Sequence, residues 1–260
     1  MTQLNSIIDL DAHPLGDSAY IAAAKAKLDT DGVVCLDGFL RAPALQKMID
    51  QAQQTTDLAY FTKGTHNVYL TPRDESLPDT HVFNRQISSS KGCITTDQVP
   101  ANSGLHVIYN DPLFQSFIAQ TVGQDAVYPY ADPLSSINVH YAGDTQELGW
   151  HFDNSSFAIT LLLQAPDAGG SFEYVKDLRD ADAGEMNFAG VSDVLDNKTP
   201  TTTLTINPGM LVLFRGRNAM HRVTPTIGDT TRYLVVLAYN DRPNIALSES
   251  ARMTFFGRLG

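Results

Sequence analysis

The second half of the sequence is a succession of short apolar runs separated by turn-forming residues, and this pattern limits the fold more than any other feature. Many short strands with turns between them are typical of a β-barrel or a double-sheet jelly roll. We therefore predict a mainly β core over residues 134–260. The runs that define it are LSSINVHY, GWHFD, FAITLLLQ, GSFEYV, TTLTI, MLVLF, HRVTP and RYLVVLAY.

The first 133 residues have a mixed helical and strand character. Helical spacing of apolar residues predicts helices over 17–29, 42–56 and 111–122, the last with proline in its first turn and glycine just beyond its end. The segment 32–40 (GVVCLDGFL) has the composition of a short strand. We therefore expect N-terminal helices to precede the β core.

A polar stretch at 176–200 interrupts the predicted strands. Because strands continue on both sides of it, we interpret it as an insertion that lies over one face of the core and carries one short helix. The chain contains no repeat and no low-complexity tract. We expect residues 1–260 to form a single domain.

The excess of acidic over basic residues argues against nucleic acids and anionic membranes as partners. Asp and Glu together number 29 against 18 Lys and Arg, a net charge of −11, which repels phosphate backbones and anionic membranes. We expect a small-molecule substrate, no nucleic acid and no membrane, and we leave a homodimer open. The two cysteines, Cys35 and Cys93, suggest neither a disulfide framework nor a thiolate metal site, which favours the cytoplasm. The first residues carry no basic leader, so we expect no export and no anchor.

The strongest chemical signal is the pair His151 and Asp153, followed much later by His221. In a strand, side chains two residues apart face the same side, so the first two can point together into a barrel. A second histidine from another strand would complete a set of two imidazoles and one carboxylate. This set suits ferrous iron and leaves coordination positions open for a co-substrate and oxygen. Taken alone, the pair is equally compatible with an ordinary buried histidine and a turn aspartate.

The surroundings of these residues resemble those in the Fe(II)- and 2-oxoglutarate-dependent oxygenases. A buried strand and a Gly-Gly turn follow Asp153, the run 207–214 (NPGMLVLF) precedes His221, and Arg232 stands eleven residues after it. The resemblance covers roughly residues 134–240. It implies a double-stranded β-helix (jelly roll, cupin-like) core, with Fe(II), 2-oxoglutarate and O2 as cofactor and co-substrates. It also implies that His151, Asp153 and His221 are the catalytic metal ligands.

The resemblance also assigns residues to 2-oxoglutarate. Arg232 matches the family's arginine that neutralises the far carboxylate of this co-substrate, a role that a guanidinium fills with two parallel hydrogen bonds. Asn138 and His140 share one face of a predicted strand and match positions that contact 2-oxoglutarate, although a purely structural role is equally compatible with them. Arg222 follows His221 directly and therefore points to the opposite face. The other histidines are interpreted as surface or packing residues: His13, His66, His81 and His106.

The residue at position 153 distinguishes hydroxylation from halogenation. In related radical halogenases of this superfamily a small residue stands there, which frees a coordination site for chloride. Because Asp153 fills that site, the resemblance implies hydroxylation coupled to oxidative decarboxylation of 2-oxoglutarate.

The substrate is less constrained by the sequence. Three stretches, 66–72, 84–92 and 128–133, are similar to a subgroup that hydroxylates or halogenates free amino acids, lysine among them. A free amino acid needs a cation for its carboxylate and acids for its ammonium groups. The candidate substrate-binding residues are Arg85, Asp132, Asn240 and Asp241, and for each a surface ion pair or turn cap is the alternative.

Two further classes of function stay open. The same iron site can perform desaturation or cyclisation, and the same scaffold can serve as a non-enzymatic cupin-like small-molecule binding protein. A zinc hydrolase also uses two histidines and an aspartate, but it does not explain Arg232.

Overall fold

The computed structural model describes residues 3–260. The helices are α1 (Ser18–Asp31), α2 (Ala42–Gln54), α3 (Gly104–Asn110), α4 (Pro112–Val122), α5 (Phe188–Leu195) and α6 (Glu249–Phe256), with 3-10 turns at Leu4–Ser6, Thr56–Leu58, Val82–Asn84 and Thr96–Gln98. The strands are β1 (Val33–Leu36), β2 (Tyr60–His66), β3 (Ile87–Ile94), β4 (Ile137–Ala142), β5 (Glu147–His151), β6 (Ala158–Gln164), β7 (Ala168–Gly169), β8 (Phe172–Val175), β9 (Thr202–Leu204), β10 (Leu211–Phe214), β11 (Met220–Val223), β12 (Thr226–Ile227) and β13 (Arg232–Leu237).

Within residues 3–260, eleven strands form one large curled antiparallel sheet. Its order is β1-β10-β6-β13-β4-β3-β5-β11-β8-β9, and β2 pairs with β3. The short strands β7 and β12 form a separate pair. Neighbours in the sheet are mostly distant in the chain, as in a jelly roll. The predicted mainly β, jelly-roll fold class with N-terminal helices is confirmed.

The N-terminal helices cover one face of this sheet. Helix α1 packs on α4, and buried side chains of both continue into an apolar core with the inward residues of β4, β6, β10 and β13. Helix α4 begins where the Asp111 carboxylate accepts a hydrogen bond from the Leu113 amide, and it ends at Gly123, whose φ of 80° suits glycine. The helices predicted at 17–29, 42–56 and 111–122 are therefore confirmed to within two residues at each end.

The first 133 residues contribute more strands than the sequence predicts. Strand β1 pairs with β10 as an edge of the large sheet, and β3 lies between β4 and β5. The strands β2 and β3 are not evident in the sequence. Strand β3 (ISSSKGCI) is rich in serine and lacks the alternation that marks a half-buried strand, and β2 (YFTKGTH) is mostly exposed. The consequence is that β3 brings polar side chains next to the strands that carry the metal motif.

The segment 176–200 carries the short helix predicted there, α5. Its apolar side is buried against Trp150 on β5, Met220 on β11 and Phe152, which follows β5 directly. The insertion is thereby fixed to the sheet beside the candidate site. Across residues 3–260, no helix combines the length and the apolar character needed to cross a bilayer.

Candidate metal centre

Two strands bring the two histidines of the motif face to face. His151 is the last residue of β5 and His221 lies in β11, and the antiparallel register pairs these two residues directly. Their rings are 4.1 Å apart between centroids. Asp153 follows β5, and its amide donates to the Gly216 carbonyl in the turn that leads into β11. The register of one strand pair therefore assembles all three residues.

The three side chains offer one ligand atom each to a common point. The ligand atoms of His151, Asp153 and His221 all lie within 4.8 Å of one another. The Oδ1 atom of Asp153 is 3.8 Å from Nε2 of His151 and 3.5 Å from Nε2 of His221. Both histidines are buried, and the Asp153 side chain is 20% exposed. This separation leaves space for an ion between the three atoms.

Backbone carbonyls fix the orientation of both imidazoles. Nδ1 of His151 is 2.8 Å from the Gly149 carbonyl oxygen, and Nδ1 of His221 is 2.9 Å from that of Ala219. A carbonyl only accepts, so each Nδ1 carries the proton and each Nε2 presents a lone pair. The hydrogen bonds thus select the tautomer that binds a metal through Nε2.

The electrostatics keep His151 and Asp153 in their metal-binding protonation states. Burial, and then the neighbouring His221, lowers the pKa of His151 to about 3, so its ring is neutral at neutral pH. Burial alone would raise the pKa of Asp153, but the two histidines and Lys91 more than offset this, and the pKa lies below its usual value. The site therefore presents a neutral imidazole at His151 and a carboxylate at Asp153.

One buried oxygen of the triad, Oδ2 of Asp153, has no hydrogen-bond donor among the described residues. It lies against Gly216, where an added Cβ would sit 1.9 Å from it. A buried carboxylate oxygen without a donor is costly unless a cation supplies the missing charge. The donor set and this orphaned oxygen fit a ferrous ion held by two histidines and one carboxylate.

Two further basic side chains lie near the triad. Arg232 begins β13, is 6% exposed, and forms no ion pair or hydrogen bond through its guanidinium within residues 3–260. Burial lowers its pKa to about 10, so it stays charged. Lys91, from β3, has its ammonium 3.2 Å from Nδ1 and 3.4 Å from Nε2 of His140, and no carboxylate of the described residues pairs with it.

The charges of these groups are coupled. Burial, and then Lys91 and Arg232, holds the pKa of His140 well below its usual range. Burial lowers the pKa of Lys91, and Arg232 lowers it further, whereas Asp153 raises it. The predicted co-substrate residues Arg232 and His140 thus share one electrostatic neighbourhood with the metal triad.

Sequence analysis did not identify Lys91, which connects the triad to these residues. The sequence offered one signal for it. Lys91 directly precedes Gly-Cys-Ile, the buried end of β3, and a lysine next to a buried segment is unusual. Asn138, the third predicted co-substrate residue, donates its amide to the carbonyls of Leu134 and Ile137, so its nitrogen is already occupied.

The four predicted substrate residues lie in paired positions. Arg85 forms an ion pair with Asp196, 2.6 Å between Nη1 and Oδ1, and donates to the Leu195 carbonyl. The carboxylate of Asp132 accepts from the amides of residues 134, 135 and 247 and from the Ser135 hydroxyl.

The two remaining candidates lie after β13. Asn240 forms a backbone bridge with Tyr128, and Asp241 is an exposed partner of Arg242. Among the contacts of residues 3–260, none joins Arg85, Asp132, Asn240 or Asp241 to the metal triad, Lys91 or Arg232. Their substrate-binding role stays a prediction.

Aromatic rings pack against both histidines of the triad. Phe172 stacks on His221 at 5.5 Å, and Phe214 meets the same ring edge-on at 4.9 Å. His66 packs edge-on against His151 at 6.2 Å and bonds Ser89, in keeping with the packing role predicted for it. These rings keep the donors in a low-dielectric environment.

Comparison with known families agrees with this geometry. The family described as "HalD: Halogenase D" matches residues 16–254. A search of curated protein sequences gives no match.

Several solved structures have the same fold. One is an oxidoreductase of the 2OG-Fe(II) oxygenase family from Burkholderia pseudomallei, 14% identical, with a TM-score of 0.54, covering 87% of this chain and 92% of its own. Another is a prolyl hydroxylase from Trichoplax adhaerens in complex with a peptide, 15% identical, TM-score 0.54, covering 86% and 90%. A third is the α-ketoglutarate-dependent epimerase SnoN of nogalamycin biosynthesis, 13% identical, TM-score 0.59, covering 86% and 81%. At these identities the likeness establishes the fold.

Proposed function

The chain belongs to the Halogenase D family, and from this premise we propose that it is an Fe(II)- and 2-oxoglutarate-dependent hydroxylase of a small molecule. The observation that carries the proposal is the convergence of two imidazole nitrogens and one carboxylate, with one carboxylate oxygen left without a donor. His151, Asp153 and His221 would hold the iron. The bound iron and 2-oxoglutarate would supply the oxidising power for attack on a C–H bond.

The protein's own charges support 2-oxoglutarate as the co-substrate. Arg232 and Lys91 are two basic side chains without a carboxylate partner among the described residues, and 2-oxoglutarate carries two carboxylates. Arg232 would bind the carboxylate far from the metal with two parallel hydrogen bonds. Lys91, next to His140, would offer a further hydrogen-bond donor.

The carboxylate of Asp153 favours hydroxylation over halogenation. Both outcomes need the two histidines. Halide binding also needs a free ligand position, which is available only when no carboxylate side chain occupies it. Here Asp153 fills that position, with its Oδ2 closely packed against Gly216. The family description favours halogenation as the second candidate, and the mass of the product formed in the presence of chloride separates the two.

We also propose a free amino acid such as lysine as the substrate. The similarity of three sequence stretches to amino acid hydroxylases and halogenases supports it, and the acidic surface attracts a cationic substrate at long range. The enzyme would act in the cytoplasm as a single domain.

The test is iron- and co-substrate-dependent chemistry in the purified protein. Titration of Fe(II) into the protein with 2-oxoglutarate, without oxygen, should produce the absorption band of the iron–2-oxoglutarate complex. On admission of oxygen, succinate should form only when both are present. His221→Ala should abolish both signals, whereas the matched control His106→Ala, on helix α3, should retain them.

Each alternative predicts a different result. A cupin-like binding protein would release no succinate, and a zinc hydrolase would not respond to 2-oxoglutarate. Desaturation or cyclisation would remove two hydrogens from the substrate, whereas hydroxylation adds one oxygen.

A further inference from the structure

The segment 216–218, between β10 and β11, lies directly against the acid of the metal triad. Asp153 follows β5 and belongs to no strand, so no strand pairing holds it. Instead, its amide donates to the Gly216 carbonyl at 3.0 Å, and the carbonyl of Asn154 accepts from Nη1 of Arg217 at 3.1 Å. The position of Asp153 therefore depends on the position of this segment.

The side chain of Asp153 is confined by its contact with Gly216. A Cβ atom at position 216 would lie 1.9 Å from Oδ2 and 2.5 Å from Cγ of Asp153, far closer than heavy atoms pack. The φ angle of Gly216 lies outside the left-handed region, so its backbone does not require glycine. Oδ2 of Asp153 occupies the space that the missing side chain leaves, while Oδ1 lies 3.8 Å from Nε2 of His151 and 3.5 Å from that of His221. Glycine at position 216 thus permits the orientation in which Oδ1 faces the two histidines.

The insertion between β8 and α5 holds this segment from its other side. The Asn218 carbonyl accepts from the amides of Leu178 and Arg179, at 2.8 and 3.3 Å. Oδ1 of Asn218 accepts from the amide of Ala181 at 3.0 Å. A fourth hydrogen bond, of 2.9 Å, joins Nε of Arg179 to the Arg217 carbonyl. The segment is therefore bonded to the acid of the triad on one side and to the insertion on the other.

Arg179 connects the insertion to both parts of this arrangement. Its guanidinium carbon lies 4.1 Å from the ring centroid of Phe152, the residue between His151 and Asp153. Phe152 is fully buried, and a cation over the face of an aromatic ring is attracted to it. Within residues 3–260, Arg179 has no carboxylate partner that would hold its guanidinium elsewhere. Its side chain thus joins the segment 216–218 to the residue that precedes Asp153.

We propose that Gly216 and Arg179 are positioning residues for the carboxylate of Asp153. Gly216 leaves the space that Oδ2 occupies, and Arg179 fixes the segment 216–218 relative to Phe152 so that this space is kept. The proposal rests on the proposed function, because it concerns the ligand that would hold the iron. It gives the insertion at 176–200 a role in setting the metal site.

The first experiment uses Co(II) as the probe, titrated into the metal-free protein. The visible absorption of bound Co(II) gives its dissociation constant, and the shape of the spectrum reports the arrangement of the ligands. Gly216→Ala places a methyl group where Oδ2 lies, Arg179→Gln removes the charge and the Nε donor, and Arg179→Lys keeps the charge alone. The matched controls are Gly64→Ala, where an added Cβ meets no atom within 4 Å, and Arg222→Gln, in an arginine paired with Glu173.

We expect Gly216→Ala to weaken Co(II) binding more than about 10-fold and to change the spectrum, because groups that support a metal ligand contribute about 10–100-fold to affinity. Arg179→Gln should weaken binding about 10-fold, at the lower end of this range, because it acts through the segment 216–218. Arg179→Lys should fall between Arg179→Gln and the wild type. Both controls should change affinity less than about threefold and leave the spectrum unchanged.

A second experiment needs no metal and tests the contact itself. Gly216→Ala should lower the urea midpoint of unfolding of the metal-free protein, since the added methyl group overpacks the carboxylate. In an Asp153→Gly background the carboxylate is gone, so the same substitution should leave the midpoint unchanged.

Unchanged Co(II) affinity and spectrum in Gly216→Ala or in Arg179→Gln would overturn the proposal. An equal loss of stability from Gly216→Ala with and without the Asp153 carboxylate would also overturn it. A loss of stability in Arg179→Gln without any change in Co(II) binding would show that Arg179 has a structural role only. Failure of the wild type to bind Co(II) would instead reject the proposed function, so the two failures are distinguishable.

Discussion

Polar side chains at the metal centre have fewer hydrogen-bond and ion-pair partners within the protein than the side chains predicted to bind the substrate. Oδ2 of Asp153 has no donor, and Lys91 and Arg232 have no carboxylate partner among the described residues. In contrast, both carboxylate oxygens of Asp132 accept hydrogen bonds from the protein, and Arg85 forms an ion pair with Asp196. A folded protein rarely leaves buried polar groups unpaired without reason. Other buried polar atoms of the described residues also lack partners, among them Gln51 Oε1 and Thr121 Oγ1, so incomplete bonding marks a ligand site here only because it coincides with the cluster of metal-ligand side chains.

The largest expected effect comes from removing a metal ligand. Removing a residue that only hydrogen-bonds to a metal ligand costs about 10–100-fold in metal affinity or activity. Removing a ligand itself should cost more, so we expect His221→Ala to lower iron-dependent succinate formation more than about 100-fold. Steady-state succinate assays with dialysed protein measure this. If His221→Ala retained iron binding, His221 would not be a metal ligand, and the contrast between the metal centre and the predicted substrate residues would fail.

Removal of the Arg232 charge should come next. We expect Arg232→Gln to raise the dissociation constant of 2-oxoglutarate about 10- to 150-fold, as expected for hydrogen bonds to a charged group. Anaerobic titration of the iron-loaded protein gives this constant. The control Arg222→Gln alters an arginine whose partner is Glu173, and 2-oxoglutarate affinity should stay near that of the wild type.

Lys91→Met separates function from stability. We expect 2-oxoglutarate affinity to fall about 10-fold. The free energy of unfolding of the metal-free protein should rise by about 1 kcal/mol, because an apolar side chain replaces a partly buried unpaired cation. Urea denaturation measures the second quantity, with the exposed Lys198→Met as control. A loss of stability would show that Lys91 has a structural role.

Asp132→Asn should show the opposite pattern. Its carboxylate binds three backbone amides and one hydroxyl, so we expect a loss of about 1–3 kcal/mol in the free energy of unfolding. The exposed Asp241→Asn should leave stability unchanged. A drop in amino acid affinity in folded Asp132→Asn would support the role predicted from the sequence, and 2-oxoglutarate affinity should stay unchanged in both variants.

The smallest effect is a pH dependence of the metal-free protein. The pKa of His151 is lowered to about 3, so the unfolded chain binds the proton that the folded chain excludes. Stability is therefore full above about pH 6.5 and falls with pH below it, by about 1 kcal/mol from this histidine at pH 5.5. Thermal unfolding across this range checks the slope, and it should be shallower in His151→Gln. A slope of opposite sign would contradict the burial of a neutral ring.

Sequence analysis predicted the parts of the site that local spacing controls. His151 and Asp153 are recognisable because alternate residues in a strand share a face, and His221 because its surroundings match a known pattern. The fold class follows from the turn-separated apolar runs. Lys91 escaped because its strand is polar and its partner His140 lies on a strand that is distant in the sequence.

The in-register pairing of His151 with His221 also has a consequence for the newly made polypeptide. The first two ligands leave the ribosome well before the third, and only the last strands of the sheet bring His221 into position. A partial chain can present an imidazole and an acid but cannot enclose an ion. The complete set of three ligands can therefore form only after β11 has been synthesised.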